Sequence, residues 1–123
     1  GCIRKELFRL EKKGDGARNQ YFTNYRLNAK AKNLEFGLTM EEFEKITSSS
    51  CHYCGDNPSL YRFNKRGWGG YLHNGIDRMD SSKGYTLDNC VPCCKTCNFA
   101  KNTVSYSDFL DWIGRLIKFR STL

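Results

Sequence analysis

Cys51-His52-Tyr53-Cys54-Gly55 and Cys94-Lys95-Thr96-Cys97-Asn98 are two C-x-x-C units separated by 39 residues. In each unit two thiolates can reach one ion from a single tight turn, and Zn²⁺ favours four such sulfurs in a tetrahedron at about 2.3 Å. The gap exceeds that of a simple ribbon, so the chain between the pairs must form an excursion that the metal closes at its base. Such a closure stabilises a loop-rich region short of apolar packing. A redox dithiol or a set of buried free thiols would account for one pair but poorly for two matched ones. Cys93 competes with Cys94, but only Cys94 gives the C-x-x-C step. Cys90 and Cys2 are assigned to packing or solvent. His52 is a nitrogen donor inside the first unit and is left outside a four-sulfur site.

The composition is consistent with this reading. Seven cysteines, six of them between Cys51 and Cys97, do not suit a disulfide scaffold, which spreads an even set along the chain; thiolate ligands in an intracellular protein fit better. No basic segment followed by an apolar run opens the sequence, so no secretory leader is expected. No stretch approaches the roughly 20 apolar residues of a membrane span, which excludes a lipid-embedded helix bundle. The 123 residues suit one domain, and 39% hydrophobic with 14% aromatic residues argue for a packed core over a basic tail. The net charge of +7 points to a polyanionic partner, because Lys and Arg gain affinity by releasing counterions from phosphates. Charge kept for solubility is the plainer alternative.

The elements that must position the cysteines can be read coarsely. Residues 1–17 are polar and basic, an irregular lead-in. From Arg18 the spacing of Phe22, Tyr25, Ala29 and Phe36 predicts a helix with Arg26 and Lys30 off its apolar face, stopped by Gly37. Thr39 with Glu42 has the spacing of a capping box and starts a second helix, ended near Thr47 by three serines. Turn residues dominate 51–89, with strands expected near Leu72–Asp77 and Asn89–Pro92. A short helix is predicted over Lys95–Asn102. A final one over 106–120, capped by Ser107, carries Phe109, Ile113, Leu116 and Ile117 as a stripe for packing. The expectation is an α+β fold: a lead-in over 1–17, then one domain over 18–123. Within that domain, 18–47 is helical, 51–102 is the zinc-stapled core and 106–120 the last helix.

Cys51-x-x-Cys54-Gly55, Gly75-Ile76-Asp77-Arg78-Met79-Asp80, Gly84-Tyr85, Asp88-Asn89 and Cys94-x-x-Cys97-Asn98-x-x-Lys101 resemble the zinc-containing HNH endonucleases. These are also called ββα-metal or His-Me finger nucleases, and the helical lead-in is similar to that of phage-type members. The resemblance implies a strand, a loop, a second strand and a helix around one Mg²⁺ or Mn²⁺, separate from a structural zinc. It implies Asp77 and Asn98 as ligands of that cation and Asn89 as the residue that shapes the loop. Lys83 and Lys101 become candidates for flanking phosphates, with Arg26 and Lys30 for the wider DNA surface. A hard cation with oxygen ligands suits phosphodiester hydrolysis, since charge develops on the phosphate and on the leaving 3′ oxygen.

Where the resemblance expects a histidine base after Asp77, this chain has Arg78. A guanidinium cannot act as a base near neutral pH but can donate a bidentate bond to the scissile phosphate. His73 is then a candidate base, although four residues of straight strand put it roughly 13 Å from Asp77 unless Asn74-Gly75 bends the chain. Tyr85, His52 and water activated by the metal are the others. The resemblance thus implies a metal-dependent endonuclease acting on double-stranded DNA and leaving 5′ phosphates. The rival reading is a zinc-stabilised nucleic-acid-binding module without activity, and a weaker third is a protein-interaction zinc domain. A homodimer would place two sites on opposite strands, but no heptad marks one.

Overall fold

The computed structural model describes residues 15–63 and 69–122. Of the expected lead-in over 1–17, residues 1–14, with Cys2, lie outside them. Among the described residues, four helices and two small antiparallel sheets follow in the order α1 (Asp15–Ala31), α2 (Met40–Thr47), β1 (Leu60–Phe63), β2 (Gly70–His73), β3 (Gly75–Arg78), β4 (Cys90–Cys93), α3 (Lys95–Lys101) and α4 (Tyr106–Ser121). A 3₁₀ turn at Leu87–Asn89 precedes β4. This is the α+β class.

Helix α1 starts at Asp15, inside the expected lead-in, and stops six residues before Gly37. The stop is a left-handed Asn33 (φ 56°), with Leu34 N–H donating to Ala29 O and Asn33 N–H to Lys30 O. Asparagine tolerates this conformation, and the two bonds satisfy carbonyls at the end of the helix, as in a Schellman motif. Ala17, Tyr21 and Ala29 are the buried residues of α1, with Phe22 and Tyr25 half-buried beside them. Tyr21 is central and was not on the sequence-read face. Helix α2 begins with a true capping box: Thr39 Oγ1 accepts from Glu42 N, and Glu42 Oε1 accepts from Thr39 N. Its Phe43 and Ile46 join Tyr21, Leu38, Ile76 and Cys90 in the core. Edge-to-face rings, among them Tyr21–Phe43 and Phe22–Phe43 at 5.3 Å, fill most of it.

The strand expected over 72–77 is two strands in different sheets. Residues β1 and β2 form a hairpin, with Leu60 opposite His73 and Phe63 opposite Gly70, whereas β3 pairs with β4, with Gly75 opposite Cys93 and Arg78 opposite Cys90. The break is Asn74, which is fully buried. Its N–H donates to Thr47 O at 2.7 Å, and its Nδ2 donates to Ser49 O and Asp56 O. The chain bends there because the Asn74 N–H goes to the end of α2 and its carbonyl accepts from Tyr21 Oη of α1, not from a ladder. Segment 35–37 is tied to Tyr85 by two backbone bonds, and a Cβ on Gly84 would stand 2.4 Å from Glu35 O.

At α4, Ser105 is the cap in place of the expected Ser107, because Ser105 Oγ accepts from Asp108 N. Phe109 is buried, but Leu116 and Ile117 are 44% and 64% exposed, so the expected stripe packs only at its first turns.

Two glycines offer opposite tests. Gly84→Ala has to displace the Glu35 backbone and is expected to lower the unfolding free energy by about 1–3 kcal/mol. Gly114, inside α4 with nothing within 4 Å of an added Cβ, is expected to gain about 0.5–1 kcal/mol on substitution by Ala. Urea unfolding of the two variants reads both signs.

Candidate metal centre and catalytic cleft

The Cys51–Cys54 turn closes through Gly55 N–H donating to Cys51 O, with Gly55 at φ +75°. His52 N–H donates to Pro92 O, which lays this turn against β4. On the other side Cys94 is the N-cap of α3, its Sγ accepting from Cys97 N–H at 3.3 Å. The sulfurs of Cys51, Cys54, Cys94 and Cys97 consequently lie within 4.8 Å of one another. Four thiols so close, from two turns, are the donor set of a structural zinc. Burial pushes the Cys51 thiol up, but the backbone amides of Cys54, Cys94 and Tyr53 outweigh it and bring it down to about 7. Cys93 is fully buried, its Sγ directed at Cys94 O, and burial pushes its thiol upward. Cys90 is buried in the aromatic core, and burial likewise raises it, to about 12.

Strand β3 and helix α3 carry the other sequence-read residues. Asp77, Arg78 and Asn98 line one cleft of about 720 Å³, together with Tyr85, Lys95 and Phe99. Asp77 is 5% exposed. Tyr53 Oη donates to its Oδ2 at 2.6 Å, and Lys101 Nζ, itself fully buried, donates to its Oδ1 at 3.3 Å. Burial first, then the Asp77 carboxylate, raise the Tyr53 phenol, so it keeps its proton and donates. Phe109 of α4 packs edge-on against Tyr53 at 5.0 Å and fixes the ring. Asn98 stands in α3 directly after the last cysteine, its side chain exposed to the cleft. A carboxylate and an amide oxygen from residues lining one cleft are hard donors, and each carboxylate oxygen keeps a second acceptor site beyond the bond it receives. The residues present fit a divalent cation.

Arg78 is partly committed. Its Nη1 donates to Ser81 O at 2.7 Å and to Lys83 O at 2.8 Å, and its guanidinium lies 5.2 Å over the Tyr85 ring. Asn89 holds the same loop: its Oδ1 accepts from Asp80 N–H, and its Nδ2 donates to Asp80 O and Gly84 O.

Three sequence-read assignments change. Lys101 is no surface phosphate contact, because it is buried against Asp77. His73 is not in the cleft. It sits 6% exposed with its ring centroid 3.9 Å from that of Tyr21, Nδ1 by Asn74 O, and burial lowers its pKa. His73 ends the β1–β2 sheet, not β3, and packs in the core against Tyr21 and Tyr71. His52 is exposed and bonds Tyr106 Oη through Nε2. Among the described residues no histidine lines the cleft. Lys83, Arg26 and Lys30 are exposed, Lys83 lying 4.0 Å from Asp80. Sequence reasoning missed Tyr53, Lys95 and Phe99. The first two stand inside the C-x-x-C units, where attention went to sulfur.

No family model matches the chain. It is 40% identical over 89 residues to an uncharacterized protein of Acanthamoeba polyphaga mimivirus, a match that takes in 72% of this chain and 15% of that protein. The chain thus spans under a sixth of that relative's length. It is also similar to the solved structure of the rare-cutting HNH restriction endonuclease PacI, with a TM-score of 0.59 and 29% identity over 81% of this chain and 75% of that one. The fold is of the HNH nuclease type. Within that fold, β3, the 80–89 loop, β4 and α3 are the two strands and the helix that surround the cleft. Among the described residues no helix is long and apolar enough to cross a membrane.

One zinc per chain is expected by metal analysis. Cys94→Ser is expected to lose it together with the folded core, whereas Cys93→Ser is expected to keep it, since the Cys93 sulfur stands outside the four-sulfur cluster.

Proposed function

We propose that the protein is a metal-dependent endonuclease that hydrolyses phosphodiester bonds of double-stranded DNA and leaves 5′ phosphates. The observation that carries this reading is the convergence of Asp77, Arg78 and Asn98 on one cleft beside the four-cysteine cluster. The likeness to an HNH restriction endonuclease adds support. Mg²⁺ or Mn²⁺ held by Asp77 and Asn98 would supply the positive charge that stabilises the phosphate and the leaving 3′ oxygen.

The chain's own residues account for the rest. Asp77 is held from both oxygens, so its remaining acceptor sites are fixed in direction. Arg78 keeps a guanidinium edge beyond Nη1 with which to donate to the scissile phosphate. Lys95 on the cleft wall, with Arg26, Lys30 and Lys83 on the exposed surface, supplies charge for flanking phosphates. His73 serves the core. Tyr85 is raised by burial and holds its proton at neutral pH.

A second reading, a binding module without hydrolysis, is favoured by the lack of a histidine among the cleft residues. Plasmid incubation separates the two: nicking that requires Mg²⁺ or Mn²⁺ supports the enzyme, and salt-sensitive binding without nicking in either metal supports the module.

Asn98→Ala is the clean variant, because the side chain is exposed and its loss leaves no buried charge. Cleavage is expected to fall by about a hundredfold or more, with zinc content and unfolding midpoint unchanged. His73→Gln, in protein that folds, is expected to cut within a few-fold of wild type.

A further inference from the structure

Lys101 is a charged side chain with no exposure at all, and the sequence gives it no reason to be there. It stands one helical turn after Asn98 on α3. The same face of one short helix therefore brings an amide to the cleft and an ammonium to the Asp77 carboxylate. The Nζ also lies 3.4 Å from Arg78 O, so it grips the backbone at the end of β3 as well as the side chain. Tyr53 holds the opposite carboxylate oxygen at 2.6 Å.

We propose that Lys101 and Tyr53 form a clamp on Asp77 in which the Lys101 ammonium acts as a resident counter-cation and sets how tightly the cleft binds a divalent metal ion. The inference rests on the reading of Asp77 and Asn98 as metal ligands. A carboxylate this buried is costly to keep charged without a partner, and Lys101 supplies that partner when no metal is bound. A divalent ion arriving at the same carboxylate then meets a positive charge only a few ångströms away, in surroundings that screen poorly. The clamp thus gives a carboxylate oriented in advance and a metal affinity held down by like charge. An ordinary structural ion pair would leave metal affinity unchanged or, by loosening the ligand, weaken it on removal. The two roles therefore differ in sign.

Lys101 and Tyr53 are positioning residues, since each acts through Asp77. Neither needs to touch DNA. Lys101→Met keeps the length and apolar stem and removes the charge.

The test is Mn²⁺ titration of the zinc-loaded, DNA-free protein, followed by electron paramagnetic resonance, with wild type, Lys101→Met and Asn98→Ala in parallel. Lys101→Met is expected to bind Mn²⁺ about tenfold or more tightly than wild type, with a lower unfolding midpoint in metal-free buffer that Mn²⁺ restores. A folded Lys101→Met with wild-type or weaker Mn²⁺ affinity overturns the proposal. If it does not fold without metal, Lys101→Gln replaces it. If that fails too, recovery of either fold by millimolar Mn²⁺ supports the counter-cation role, and no recovery overturns it. Wild type that takes up no Mn²⁺, or Asn98→Ala that takes up as much as wild type, overturns the metal-site reading itself and the clamp with it.

Discussion

Four sulfurs within 4.8 Å of one another tie the two ends of a 39-residue excursion together, and the geometry of the cleft follows from that closure. One pair of sulfurs belongs to the turn that carries Tyr53; the other forms the N-terminus of the helix that carries Asn98 and Lys101. The clustering of the sulfurs goes with Tyr53 on one oxygen of Asp77 and Lys101 on the other, each 24 residues away in sequence. Little apolar material is available to do this otherwise. The main aromatic core lies on the other side of β3, around Phe43, and around the sulfurs the packing consists of Cys93, Tyr53 and the cysteines themselves. A zinc ion on the four thiolates would order such a region.

The two sheets divide the labour. The β1–β2 hairpin sends His73 into the core against Tyr21 and Tyr71, and Asn74, bonded to the end of α2, turns the chain so that β3 presents Asp77 to the cleft. Asn89 and Arg78 spend their hydrogen bonds inside the 80–89 loop, which keeps the gap between β3 and β4 in one shape. Helix α4 contributes at its start, where Phe109 fixes Tyr53; farther along it exposes Trp112, Leu116 and Ile117.

The sequence was most informative where the chemistry is local. Two C-x-x-C steps, Thr39 with Glu42, and the short helix after Cys94 each express a contact within a few residues, and each is readable from spacing. The bend at Asn74-Gly75 was legible only as a condition on His73, and 72–77 still read as one strand, because the acceptors that fix the bend, at Thr47, Ser49 and Asp56, are distant in sequence. Asn33 ended α1 earlier than Gly37 because a left-handed asparagine serves the same purpose as a glycine. Lys101 looked like a surface lysine, since nothing near it in sequence is acidic; its partner comes from another element. The cleft residues were legible only through resemblance to a family. The stripe on α4 was legible as amphipathic, but periodicity does not tell how much of it has something to pack against.

The central claim is that Asp77 and Asn98 share one hard cation beside, and distinct from, the thiolate zinc. Crystals grown with duplex DNA and Mn²⁺, measured at the manganese and zinc absorption edges, test it directly. The account predicts a manganese peak bonded to an Asp77 carboxylate oxygen and the Asn98 amide oxygen, with a zinc peak among Cys51, Cys54, Cys94 and Cys97. A manganese ion that avoids Asp77 and Asn98 while DNA lies in the cleft would contradict it.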